Sequence, residues 1–264
     1  MSGIGGADWG AQMLNAVATQ TLKHMFTAVD RLAVDIRCQP PSKLLQGALD
    51  GFRMEGAGLT IRREFRTESM TFETDAVAVD FGSALQGRLA LKQPTQAIAQ
   101  VVLTEADINR AFQAALVTQH LENVTDPALT AAAGDGPISF REVAMTLLPQ
   151  TRVAIRAIAV LADGSAVPVA LTARVDVERR RRLRFADCAF DGEAIAATES
   201  AENLAALGDR PAKLSAALGE ILDRMVDLDR FDLDGVTMRI NRLETQGKTL
   251  VFAGYAQIER LPQV

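Results

Sequence analysis

Lys92-Gln-Pro-Thr-Gln-Ala-Ile-Ala-Gln-Val-Val-Leu103, continuing as Thr104-Glu-Ala-Asp-Ile-Asn-Arg-Ala-Phe112 and on to Leu121, sets two hydrophobic periods end to end. Before Thr104 the period is two. Ala97, Ala99, Val101 and Leu103 fall on one face, with Pro94 marking the start of a strand. From Thr104 the period is that of a helix, with Ile108, Ala111, Phe112 and Ala115 at i, i+3, i+4 and i+7. A Thr hydroxyl accepts from orphan amides of a first turn, and Glu105 and Asp107 suit the positive end of the helix dipole. A strand feeding a capped helix through residue 121 is a supporting device, and nothing in it looks catalytic.

Outward from this stretch the two periods recur. Towards the N-terminus, Leu14, Ala18, Leu22, Met25 and Val29 predict an amphipathic helix from Asp8 to about Val29. Leu32, Val34 and Ile36 alternate with charged residues until Pro40-Pro41, and Gly47, Gly51, Gly56 and Gly58 predict bent or bulged strands. Met70 and Phe72 share one parity, Val77, Val79 and Phe81 the other, so a turn or bulge is expected near Thr74-Asp75. Towards the C-terminus, Pro127, Gly134, Asp135, Gly136 and Pro137 make a loop that is a candidate boundary between two lobes. Strands resume with Val143, Met145 and Leu147, then Val153, Ile155 and Ala157. An Asp163-Gly164 hairpin signal leads into the clean alternation of Val167 to Val177. Leu214, Leu218, Ile221, Leu222 and Met225 predict a helix behind Pro211, and two strands close the chain around Gln246-Gly247. Runs of strands with helices segregated among them indicate α+β with antiparallel pairing.

Composition excludes several classes. The chain has 264 residues, 48% hydrophobic and 23% charged, enough to bury a core and too apolar for disorder. A net charge of −5 and 5% aromatic residues argue against nucleic acid as a partner. Cys38 and Cys188 show neither a disulfide framework nor metal-ligand spacing. No secretory signal or spanning helix is visible, and a cytoplasmic location is expected.

No catalytic or metal motif emerges. His24 and His120 fall in predicted helices without a positioning partner, and neither a nucleophile elbow nor a phosphate loop is present. Aligning Gly235 with the glycine of a calcium loop puts Arg230 at the first ligand position and Asn241 at the last, so the acids Asp227 to Asp234 read as a solvated turn. The sharpest charge feature is Arg179-Arg180-Arg181-Arg182 with Arg184 behind it, at the end of the clean strand. Such a run either keeps an edge solvated or meets anionic headgroups.

Val34-Asp35-Ile36, Pro41-Ser42-Lys43-Leu44-Leu45-Gln46-Gly47, Gly56-Ala57-Gly58-Leu59, the Pro94–Leu103 strand and Thr104-Glu105-Ala106-Asp107-Ile108-Asn109 together resemble the LmeA-like phospholipid-binding family. The similarity covers most of residues 28–260 and is strongest from about 30 to 121. It implies a long twisted antiparallel sheet, or sheets, wrapped against amphipathic helices as in tubular lipid-binding proteins. The domain plan is then an N-terminal helix over 1–27 and one LmeA-like domain over 28–264, with two lobes dividing near 123–137. The implied function is non-enzymatic phospholipid binding or lipid transfer at a membrane surface, with a bound phospholipid in place of any cofactor. Headgroups would meet Arg179, Arg180, Arg181, Arg182 and Arg184, and acyl chains would lie along Leu218, Leu222 and Met225. The sequence lacks the signal peptide or lipobox cysteine of an envelope protein, which favours the inner face of a membrane. The alternative is a scaffold or assembly factor that binds a protein partner through the N-terminal helix and the basic turn. A hydrolase acting through scattered Asp and Ser residues is the least supported option.

Overall fold

Alternation of Leu32, Val34 and Ile36 with charged neighbours becomes the first strand of the computed structural model, β1 (Arg31–Arg37). The structure describes residues 5–80, 82–83, 90–127, 129–130, 134, 136–225 and 235–259. Ahead of β1 runs helix α1 (Gly5–Lys23), six residues shorter at its end than the periodicity predicts. After it come a 3-10 turn (Pro41–Gln46), β2 (Ala48–Leu49), β3 (Gly51–Ile61), β4 (Phe65–Thr74), β5 (Val77–Ala78) and β6 (Thr95–Thr104). Next are α2 (Glu105–Ala111), α3 (Ala115–Thr118), β7 (Ser139–Leu147), β8 (Arg152–Val160), β9 (Ala166–Glu178) and β10 (Arg182–Phe190). The chain closes with α4 (Gly192–Ala196), α5 (Ala201–Leu207), α6 (Arg210–Met225), β11 (Val236–Gln246) and β12 (Thr249–Ile258). The fold is α+β with antiparallel sheets, as the alternation of periods predicts.

Two compact units result: Met1–Leu103 with Leu228–Arg242 and Val251–Val264, and Thr104–Asp227 with Leu243–Leu250. Residues 123–137 belong to the second. In the first unit the strand order is β1-β3-β4-β6-β12-β11, and β2 pairs with β5 separately. Ala97, Ala99 and Val101 are buried with Met54, Leu59, Met70 and Phe72, and Leu22 of α1 joins that core. Apolar burial of this kind contributes roughly 25 cal/mol per Å² and is what holds α1 on the sheet. Gly58 sits inside β3 at φ +58, and a Cβ there would collide with the Asp30 carboxylate. Only glycine lets the strand bend at that point.

In the second unit β10-β9-β8-β7 form a four-stranded sheet, and α6 packs against β9 and β10. Val167, Val169, Leu171, Ala173 and Val175 are all buried, the alternation expected of one covered face. Gly164 at φ +83 turns the β8–β9 hairpin, and the Asp163 carboxylate accepts from the backbone N–H and the hydroxyl of Ser165. Both edge strands carry a bulge, β7 between Arg141 and Ala144 and β10 between Ala186 and Ala189, with Glu142 and Asp187 at positive φ. Bulges twist an edge away from further pairing.

The helix expected from 104 to 121 does not run through. Thr104 and Asp107 form a reciprocal capping box, as the Thr104 cap predicts, but α2 ends at Ala111 and Phe112 is its C-cap. Ala114 is extended (φ −66, ψ 140), which resets the helical phase. Phe112 is therefore half-buried and Ala115 exposed, while Ala114, Val117 and Leu121 become core. The polar side of α2 faces the sheet edge. The Asn109 amide donates to the carbonyl of Met145 and accepts from its N–H, at 3.0 and 2.7 Å, and the Glu105 carboxylate accepts from Leu147 N–H at 2.9 Å.

Candidate functional site

The β9–β10 hairpin and α6 bring together the chemistry singled out above. Arg179 and Arg180 occupy the turn at φ +49 and +62, and Arg181 N–H closes it on the Glu178 carbonyl at 3.1 Å. Left-handed φ at both central residues matches the twist of a tight hairpin, although Gly and Asn adopt it at lower cost than Arg. The two side chains stand exposed at the tip.

Arg182 and Arg184 point elsewhere. Arg182 Nη2 donates to the carbonyl of Asp223 at 2.9 Å, placing a cation on the last turn of α6. Arg184 Nε donates to Asp223 Oδ1 at 2.7 Å, and the Phe185 N–H donates to the same oxygen at 2.8 Å. The Glu178 carboxylate lies 3.6 and 3.5 Å from the two guanidinium groups. The hydrogen bond to Asp223 raises the Arg184 guanidinium above its usual range. The five arginines thus divide: Arg179 and Arg180 project, Arg181 is half-buried, and Arg182 and Arg184 bind the hairpin to α6. A niche of about 160 Å³ beside the turn is lined by Glu178, Arg179, Arg181 and Arg182.

A larger cleft of about 560 Å³ lies between β10 and α6. Leu171 and Phe185 contribute apolar surface, Cys188 to Phe190 form the strand side, and Ala212, Ser215, Ala216 and Gly219 the helix side. Arg184, Glu220, Asp223 and Arg224 supply its charged groups. Three local features shape it. The β10 bulge breaks alternation at Asp187 and Cys188. A Cβ at Gly219 would come within 3.0 Å of the Cys188 sulfur, so glycine permits the close approach of helix and strand. The Ser215 hydroxyl, fully buried, donates to the Pro211 carbonyl and accepts from the Ala170 N–H, so the buried hydroxyl is itself satisfied. Burial pushes the Cys188 thiol up, with the charges of Asp223 and Asp187 adding to the effect.

The residues expected to line an apolar groove lie on a different face. Leu218 and Leu222 are 0% exposed and Met225 is half-buried; none of the three lines the cleft. The Leu214-Leu218-Leu222 stripe is directed into the sheet core. The cleft uses the neighbouring stripe of small residues, Ala212, Ala216 and Gly219, whose short side chains leave the space open. That stripe was readable at helical spacing, yet it carries no signal of what stands opposite. Arg62-Arg63, at φ +50 and +65 in the β3–β4 turn, repeats the tip of the second unit in the first and was not singled out from sequence.

His24 and His120 are exposed on short-range contacts, to Gln20 and to the Leu116 carbonyl. Among the described residues no group of three or more His, Cys, Asp or Glu side chains is placed to hold a metal, and no helix is long and apolar enough to cross a membrane. Asp227, Asp229, Asp232 and Asp234, tested above as a calcium loop, lie outside the described residues, as does Phe81.

A family model described as LmeA-like phospholipid-binding matches residues 5–254. The chain belongs to the LmeA-like phospholipid-binding family. The match takes in α1 as well as both units, and so reaches further towards the N-terminus than the motifs of residues 30–121. For an LmeA-like protein, lipid binding is the general activity, and the antiparallel α+β frame is its setting. No curated protein and no solved structure gives a significant match to the chain.

Proposed function

We propose that the protein is a non-enzymatic phospholipid-binding or lipid-transfer protein that works at a membrane surface. The observation that carries this is the β10–α6 cleft, apolar in its middle and bordered by Arg184, Glu220, Asp223 and Arg224, beside an exposed arginine turn in the same unit. About 560 Å³ falls within the range of pockets that enclose small ligands. An acyl chain would lie against Leu171, Phe185, Phe190 and the small-residue face of α6. The phosphate would meet the arginines of the hairpin end, each worth about 1 kcal/mol near an anionic surface.

The absence of catalysis is part of the proposal. Three of the four charged groups of the cleft are engaged in structural bonds: Asp223 accepts from Arg184 and Phe185, and Arg224 donates to Asp126 at 2.6 Å. Cys188 is held as the thiol, which is not the nucleophilic form. The scaffold reading has less behind it, because Ala18 and Leu22 of α1 are buried in their own unit.

The test uses protein with Cys38 replaced by Ser. Native mass spectrometry should find phospholipid bound, and loading with lipid should slow maleimide labelling of Cys188. Cell fractionation should find the protein at the inner face of a membrane and released by high salt. Protein that stays lipid-free, ignores anionic vesicles and labels at the same rate with and without lipid would sink the proposal.

A further inference from the structure

We propose that the β3–β4 turn is a second contact with anionic lipid surfaces, carried by the first unit. This rests on the proposal above, which gives the arginine turn of the second unit that role, and extends it to a separate set of residues.

The two hairpin ends are built alike. Each closes over three residues, between Ile61 and Phe65 in one unit and between Glu178 and Arg182 in the other. Each opens on an arginine pair at left-handed φ, +50 and +65 at Arg62-Arg63 against +49 and +62 at Arg179-Arg180. The third residue completes the turn in both. Glu64 N–H donates to the Ile61 carbonyl at 3.3 Å, and Arg181 N–H to that of Glu178 at 3.1 Å. Glycine and asparagine take such positions at lower cost, so the turn itself does not account for two arginine pairs. A costly backbone state kept at an exposed tip points to a role for the side chains it carries.

The surroundings fit an anionic lipid surface. Arg62 and Arg63 are exposed, and Arg63 N–H donates to Thr27 Oγ1 at 3.0 Å, which ties the turn to the segment leaving α1. That segment brings the exposed Lys23 and the half-buried Met25 and Phe26. Across residues 23–31 and 62–68, with His24 neutral, five basic residues stand against three acids. Two of the acids, Asp30 and Glu68, lie 3.7 and 3.0 Å from Arg66, so Arg66 is not counted on as a contact. The excess is still positive, in a chain whose net charge is −5. Attraction to a charged surface acts over about a Debye length, so it does not require the arginines to leave neighbours within the protein. Apolar side chains beside a basic tip favour a lipid surface over a soluble polyanion.

Flotation of the full chain with phosphatidylcholine vesicles, with and without phosphatidylglycerol, tests the contact. Arg62→Asn with Arg63→Gly supplies residues suited to left-handed φ, so the thermal midpoint should be no lower than wild type. Binding of this first variant to phosphatidylglycerol vesicles should fall at least about tenfold, the worth of two cations at an anionic surface. A second variant, Arg62→Lys with Arg63→Lys, keeps the charge and should bind within about threefold of wild type. A third, Arg141→Gln with Arg156→Gln at exposed positions of β7 and β8, removes as much charge elsewhere and should bind like wild type. Circular dichroism checks each fold, and Arg63→Gly alone, with a loss of about threefold, decides if the first variant does not fold. Wild-type binding by the folded first variant overturns this contact and leaves the β9–β10 turn in its role. An equal loss in the second or third variant also overturns it, because the effect is then one of turn structure or of net charge. A wild-type protein that does not bind phosphatidylglycerol vesicles overturns both proposals.

Discussion

Asn109 on α2 holds both backbone groups of Met145 on the edge strand β7, accepting from its N–H at 2.7 Å and donating to its carbonyl at 3.0 Å. Glu105, one turn earlier, accepts from Leu147 N–H, two residues further along the strand. One helical turn rises about 5.4 Å and two strand residues about 6.8 Å, so an i, i+4 pair on the helix can meet an i, i+2 pair on the strand. The helix thereby covers an edge that would otherwise be open to pairing with another chain.

Replacing Asn109 with Ala leaves the N–H and carbonyl of a buried residue without these partners. The expected loss is about 1–3 kcal/mol in urea unfolding at an unchanged m-value, with more aggregation at high concentration. A midpoint equal to wild type would show that water replaces the amide at no cost.

The two stripes of α6 should separate stability from ligand binding. Leu218→Ala removes a fully buried side chain and is expected to cost about 2–5 kcal/mol, with lipid uptake unchanged under conditions where the protein stays folded. Ala216→Trp, at an exposed position lining the cleft, should reduce bound lipid in native mass spectra with stability within about 0.5 kcal/mol of wild type. Full occupancy in the Trp variant would place the lipid elsewhere.

Arg179→Glu with Arg180→Glu should weaken binding to anionic vesicles by at least about tenfold and flatten its dependence on salt. Arg184→Ala acts differently. It breaks the bond to Asp223, so it should lower the unfolding midpoint as well as vesicle binding. An Arg184→Ala protein with wild-type stability would contradict that structural role.

The raised Cys188 thiol fixes the direction of a pH effect. Alkylation should be slower than for free cysteine at neutral pH and should rise only at alkaline pH, because the thiolate is the reactive form. In folding, the neutral thiol is favoured in the native state. Its contribution is complete below the unfolded value of about 8.5 and is lost as pH climbs through the folded one. Cys188→Ala should therefore lose less stability than wild type between neutral and alkaline pH. Equal losses in the two proteins would contradict the shift.

Phe112 shows how a local pattern misleads. Its spacing after Ile108 suggests a buried ring, whose loss would cost about 3–5 kcal/mol. The ring is half-buried at a helix end, so Phe112→Ala should fall clearly below that range.

From the sequence alone came the order of strands and helices, the α+β class, the Thr104 cap and the motifs that resemble the LmeA-like family. These depend on backbone periods and turn chemistry over a few residues, and so survive without tertiary context. The arginine run was visible too, but not its division. Which arginines project and which bind Asp223 depends on a helix 39 residues further along the chain. The same holds for the cleft. A stripe on α6 shows that a face is apolar, but only packing against β9 and β10 decides that the leucines become core and the small residues border open space. The bulge at Asp187 and the pairing of Asn109 with Met145 are likewise products of long-range contacts, for which no local residue pattern supplies the partner.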